Sequence, residues 1–284
     1  MKKTTTMLFV VLGITFGFSQ EIDKPEFTGE NFSLEGALAM FKKSNSLEEF
    51  EKSINEENNN VNNLDLNNDG NTDYINVDDL KDGDTHVIVL SSFLSETEKQ
   101  DIATIGIEKT GKETAILQIN GDDELYASNT IVEPFDVDQK LEKSKGGPNV
   151  SEISSNSIIV NVWFWPSVRY IYSPNYVVWY SPHRWMFYPK WWRPWHPYRH
   201  TIFFERYAPY RGFYHRTPTP RVIIARRIYA PKRHYSKLVI HNTRNTTIIR
   251  RNNRTRENYN NNGFRTKEKR EPSRERKLEK NRRR

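Results

Sequence analysis

Charge divides this chain into two halves of opposite sign, and that division limits what each half can pack against. Residues 20–150 hold 29 Asp and Glu against 11 Lys and no Arg, a net of −18. Residues 151–284 hold 30 Lys and Arg against 7 Glu and no Asp, a net of +23. The formal total of +7 conceals both. Such a split argues for two units with different partners, and it lets the halves attract each other in a way that salt weakens. The expected organisation is a leader at 1–19, an acidic α+β domain at 20–135, a linker at 136–157, an aromatic and basic β-rich region at 158–250, and a disordered basic tail at 251–284.

The leader has the layout of a secretory signal peptide. Lys2 and Lys3 precede an apolar run from Met7 to Phe18, and the small residues Gly17 and Ser19 stand where a peptidase needs them, so the expected cut follows Ser19. The chain has no cysteine, which removes disulfides, thiol chemistry and a lipid-accepting cysteine. No later run reaches the ~18 apolar residues of a spanning helix. These features predict export without a helical anchor.

In the acidic half, Leu34, Leu38 and Phe41 form a helical stripe behind Ser33 as N-cap. Ser46 with Glu49 reads as a capping box opening a second short helix. The pattern then changes to period two, and residues 74–80, 86–94, 102–109 and 113–120 read as strands. Thr110-Gly111-Lys112 is the expected hairpin turn. Helices followed by a meander of strands predict an α+β domain with an antiparallel sheet.

Between helices and strands lies "LDLNNDGNTDYINV" at 64–77. Asp65, Asn67, Asp69 and Asp73 fall at positions 1, 3, 5 and 9, Gly70 at position 6, and Asn71 offers a carbonyl at position 7. Oxygens at alternate positions converge on a hard cation when the chain curls, and calcium is the expected ion, held as a structural clip. Unneutralised, three carboxylates this close repel. The competing reading is a plain turn rich in Asn, Asp and Gly. The stretch resembles the D-x-[DN]-x-D-G-x-x-D loops of EF-hands, dockerins and integrin-type propellers. Asn76 stands where an EF-hand has its bidentate acid, and a strand follows instead of a helix, so the nine-residue version closed by Asp73 fits better.

Residues 161–200 contain all seven tryptophans, with six Tyr, two Phe and six Pro. Tyr-Ser-Pro occurs at 172–174 and 180–182, and Tyr188-Pro189 follows at the same spacing of eight. Proline at this spacing forbids a long helix or a central strand, so short extended pieces are expected. Three readings stay open: a packing unit, a segment lying on lipid headgroups, and a platform for sugar rings. The candidate surface or ligand-binding residues are Trp179, Trp185, Trp191, Trp192, Trp195, Arg184 and Arg193. His196 and His200 are four apart, but Pro197 between them spoils a helical zinc pair. Further on, "TIFFERY" and "RVIIARRIY" read as strands with basic outer faces. The tail after Arg251 is too charged and too poor in apolar residues to pack.

The leader, the "DLNNDGNTDYI" loop and the Trp/Tyr/Pro belt together resemble a group of uncharacterised exported proteins of Gram-negative bacteria. The resemblance implies export and no particular chemistry. No Ser-His-Asp arrangement, phosphate-cradling glycine loop or metalloprotease motif is legible, and Asp122 with Glu124 in "NGDDELY" reads as a solvated turn before it reads as an acid pair. The expected function is therefore non-enzymatic: a calcium-clipped protein of the periplasm or outer membrane, or a secreted one, that holds an anionic envelope lipid or polysaccharide through its aromatic and basic half. Docking of the acidic half on the basic half is an added expectation, and nucleic acid is not an expected partner of an exported chain. The alternative is a carbohydrate-binding module using exposed Trp and Tyr faces.

Overall fold

A computed structural model of the chain describes residues 25–135 and 159–242. The expected signal peptide, linker and basic tail lie outside the described residues. Two helices come first, α1 at Leu34–Lys43 and α2 at Leu47–Ile54. Each begins as its sequence dictates. Ser33 Oγ accepts from the Gly36 N–H at 2.9 Å, and Ser46 Oγ from the Glu49 N–H at 3.1 Å. The Glu49 carboxylate reaches back to the Asn45 N–H at 2.8 Å, one residue beyond the box expected at Ser46.

The strands follow as β1 (Asn76–Asp82), β2 (Thr85–Phe93), β3 (Lys99–Gly111), β4 (Thr114–Gly121) and β5 (Ile131–Pro134), and a sixth, β6 (Tyr214–Thr217), comes from the basic half. All six form one sheet in chain order, each antiparallel to its neighbour. The fold class is α+β. The β1–β2 turn is closed by Gly83 at φ 55°, a left-handed conformation that glycine adopts without steric cost. The β3–β4 turn falls at Lys112-Glu113, because Gly111 already pairs with Thr114 and so belongs to the strand.

Period-two alternation sends the sheet's side chains to two faces. Val77, Ile88, Leu90, Ile105, Ile107, Leu117 and Ile119 face α1 and α2 in the main core, where Phe41 and Phe50 meet edge to face at 5.2 Å. The basic half adds Val162, Trp165, Val168 and Ile171 to that core, the last two from α3 (Pro166–Ile171). On the opposite face Val87 and Val89 pack against Val222 and Ala225 of the last helices, where α5 (Ile223–Tyr229) crosses the sheet. Gly106 of β3 makes that crossing possible, since a Cβ there would stand 2.8 Å from the Ala225 Cβ.

Two segments expected as strands are helices. "TIFFERY" forms α4 (His200–Arg206) and "RVIIARRIY" forms α5. In α4 the buried pair is Phe203 and, just past its end, Tyr207, four apart, and at α5 it is Val222 and Ala225, three apart. Each segment meets the body along one stripe, and that burial period outweighs the local β-propensity of Val and Ile. The region expected to be β-rich thus contributes α3, α4, α5, a helical stretch at 237–242, two short 3₁₀ helices and one strand among the described residues.

Two part-buried ion pairs and a hydrogen bond join the halves. Arg233 donates to Asp122 at 2.6 and 2.8 Å, Arg221 to Glu133 at 3.0 Å, and the Tyr229 hydroxyl to Asp101 at 2.8 Å. Asp122 is therefore neither a solvated turn residue nor one of an acid pair, because Arg233 takes both its oxygens.

Candidate functional site

The loop at 65–73 curls around its own side-chain oxygens. Asp65 accepts from the N–H groups of Asp69 (3.1 Å) and Gly70 (2.9 Å), Asn67 from Asp69 (3.0 Å), and Asp69 from Asn71 (2.8 Å). Gly70 at φ 84° and Asn68 at φ 59° make the bend, both in the left-handed region that glycine and asparagine tolerate best. Asp73 lies buried beneath and accepts from the Leu66 N–H at 2.6 Å. Burial, with the charges of Asp65 and Asp69 nearby, pushes its carboxyl up to about 7. Burial also raises Asp65. Carboxylate, amide and carbonyl oxygens are the donor set of calcium. Among the described residues, no group of three or more His, Cys, Asp or Glu is arranged to hold a metal, so a calcium ion here would need Asn67 and the Asn71 carbonyl as well as the acids.

The belt is stitched to this loop. The Thr72 N–H donates to the Trp195 carbonyl at 2.9 Å, and the Trp195 N–H returns to Thr72 Oγ1 at 3.2 Å. His196 Nδ1 meets the Gly70 carbonyl at 2.6 Å, and Tyr198 and Asn63 exchange two bonds of 2.7 and 2.9 Å. His200 Nδ1 instead meets Asn31 Oδ1 at 3.2 Å, so the two histidines serve different partners. Before reaching the loop, the belt runs along the open edge of β1. Tyr180 bridges Asp78, and the Asp79 N–H donates to the Trp179 carbonyl at 2.9 Å. Covering an edge strand in this way blocks its pairing with another chain.

The candidate tryptophans divide by burial. Trp192 is only 6 % exposed, packed edge to face on Tyr74 at 5.2 Å and against Tyr188 at 4.8 Å, so it is a packing residue with no face for a ligand. Trp179, Trp185 and Trp195 are half-buried. Trp191 is 45 % exposed, with the Lys52 ammonium 5.7 Å from its ring centre. Arg184 and Arg193 are exposed, and Arg193 Nη1 caps the Lys190 and Trp192 carbonyls at 3.0 and 2.7 Å. Arg184 opens a tight turn closed by Phe187, whose N–H donates to the Arg184 carbonyl at 2.8 Å. At its tip Met186 and Phe187 are 72 % and 71 % exposed, and Met186 sits at φ 63°, strained for a side chain other than glycine.

One feature behind the belt was not singled out in the sequence. Glu51 of α2 is buried and accepts from the Tyr74 hydroxyl (2.8 Å), the Ser181 hydroxyl (2.7 Å) and the Val77 N–H (3.2 Å). Burial pushes its carboxyl up to about 7, against the pull of those hydrogen bonds. The signal was present, since Leu47, Phe50, Glu51 and Ile54 share one helical stripe and Glu51 therefore faces inward.

Compared with family models, with curated proteins and with solved structures, the chain finds no match in any of the three. Among the described residues no helix is long and apolar enough to cross a membrane.

Proposed function

We propose that this is a non-enzymatic exported protein of the cell envelope, which binds an anionic surface through its aromatic and basic C-terminal half. The observation that carries the reading is the Arg184–Phe187 turn. Two large apolar side chains project from a tight turn that begins at the exposed Arg184, and Lys190, Trp191 and Arg193, a few residues on in the chain, are exposed too. Interfacial binding uses that combination: apolar tips enter the headgroup boundary while basic groups meet phosphates. Transfer of Met186 and Phe187 is worth about 1.5–3 kcal/mol each if complete, and each basic group adds about 1 kcal/mol near an anionic leaflet. A sugar platform needs several open ring faces, and of the belt's tryptophans and tyrosines only Trp191 and Tyr180 are exposed.

The test is sedimentation of the full chain with phosphatidylglycerol and with phosphatidylcholine vesicles. Binding to the anionic vesicles should weaken at least about tenfold in a Met186→Ser/Phe187→Ser double variant, and 1 M salt should release most of the protein. Failure of the wild type to sediment with anionic vesicles, or indifference to the double variant, overturns the reading.

Calcium in the 65–73 loop completes the proposal. Asp65, Asn67, Asp69, the Asn71 carbonyl and Asp73 would hold it, and its charge would offset the repulsion among the three carboxylates. Because Thr72 and Gly70 bond Trp195 and His196, tightening the loop also secures the belt. Affinity on the order of 10⁻⁴–10⁻³ M suits an extracellular module. At a hundredfold excess over Kd, calcium should stabilise the fold by about 2.7 kcal/mol relative to a chelator. Thermal unfolding of the wild type and of Asp65→Ala and Asp69→Ala checks this. Equal melting temperatures with calcium and with chelator would remove the clip.

A further inference from the structure

A cavity of about 250 Å³ opens between α2 and the belt. It is lined by Tyr74, Trp179, His183 and Trp191, by Lys52, and by the carboxyl groups of Glu48, Glu49 and the buried Glu51. Trp191, 45 % exposed, is the most open ring of the lining, and the buried Tyr74 backs it, its ring centre 5.5 Å from that of His183 and 6.4 Å from that of Trp191. Burial holds His183 below the usual histidine range, which keeps that wall uncharged near neutral pH.

The chemistry of this lining selects the ligand. Aromatic faces carry negative partial charge and attract cations that are weakly hydrated. The Glu48 and Glu49 carboxylates add to the attraction and repel anions. A cation is already drawn to the site: the Lys52 ammonium lies 5.7 Å from the Trp191 ring centre. Its other partner, Glu56 at 3.9 Å, is a surface contact with both side chains about half exposed. Lys52 is therefore a tethered and displaceable occupant. We propose that this cleft binds an organic ammonium group, primary or quaternary, carried by a free small molecule or by a lipid headgroup. The cleft shares Trp191 with the vesicle-binding surface but none of residues 184–187, so the Met186→Ser/Phe187→Ser variant should keep its choline affinity.

The experiment titrates the full chain with choline, following tryptophan fluorescence and calorimetry, with 3,3-dimethylbutanol as the neutral analogue of the same shape. Choline should saturate the site, and the alcohol should bind at least about tenfold more weakly. Trp191→Ala should weaken choline about tenfold, and since Trp191 is 45 % exposed the variant should keep the wild-type circular dichroism. Lys52→Met should tighten choline about fivefold by removing the competing ammonium. Phosphatidylcholine vesicles in the same assay separate the two sources: competition with soluble choline assigns a headgroup, and no competition assigns a free ligand. No saturable choline signal in wild type or Lys52→Met, equal binding of the alcohol, or full affinity in Trp191→Ala overturns the proposal.

Discussion

A chain ending at residue 135 should fail to form the sheet that the whole chain forms. Cutting there removes β6, which pairs with β5 from Ile131↔Thr217 to Pro134↔Tyr214, and leaves β5 attached to β4 by two residue pairs. It also removes Val162, Trp165, Val168, Ile171 and Tyr214 from the main core, and the whole of α5 from the opposite face. A further cost is electrostatic. Asp122 and Glu133 are buried, and their partners Arg233 and Arg221 lie beyond the cut. Arg233 and Arg221 are 30 % and 21 % exposed and the cut opens the acids to water, so each loss falls below the roughly 3–5 kcal/mol of a fully buried pair. Added to the missing core side chains, at about 1.5–3 kcal/mol each, it rivals the 5–15 kcal/mol that holds a typical domain together. The expected result is a fragment that binds a hydrophobic dye and unfolds without a sigmoidal urea transition. A cooperative transition followed by circular dichroism would show instead that the acidic half folds alone.

Stability should fall as pH rises from about 4.5 to about 7, and Glu51 should account for much of the fall. Its folded pKa is about 7 against 4.5 unperturbed, because burial disfavours the charged form. An acid raised on folding binds more protons in the native state than in the unfolded chain between those values. Its contribution is therefore complete below the unfolded value and is lost as pH climbs through the folded one. The size is about 3 kcal/mol. Urea unfolding in chelator from pH 4.5 to 8 measures the slope, and Glu51→Gln should flatten it. Asp73 is pushed the same way and adds a slope of the same sign, so the difference between wild type and Glu51→Gln isolates the Glu51 share. Parallel curves for the two proteins would show that Glu51 does not titrate in this range.

How much of this was legible depends on the range of the interactions involved. The caps at Ser33 and Ser46 and the four strands of the meander rest on neighbours within a turn or a hairpin, and local pattern carries such information. The loop at 65–73 belongs to the same class, since its donors lie within nine residues. Glu51 shares the inward stripe of Leu47, Phe50 and Ile54, so its burial is written in the local pattern, whereas its partners Tyr74 and Ser181 are not.

The sequence by itself determined the α+β class, the order of the acidic half's elements, the oxygen-rich loop and the opposite charges of the two halves. Only the tertiary structure decided what the basic half becomes. "TIFFERY" and "RVIIARRIY" are helices because each touches the body along a single stripe, and no local rule reveals which side chains will find a surface to cover. The same holds for Trp192 buried and Trp191 exposed, adjacent residues of one type whose roles differ by which of them Tyr74 and Tyr188 enclose. Contacts between residues about a hundred positions apart, such as Asp122 with Arg233, are set by how the sheet and the returning chain meet, and that geometry is written in neither segment alone.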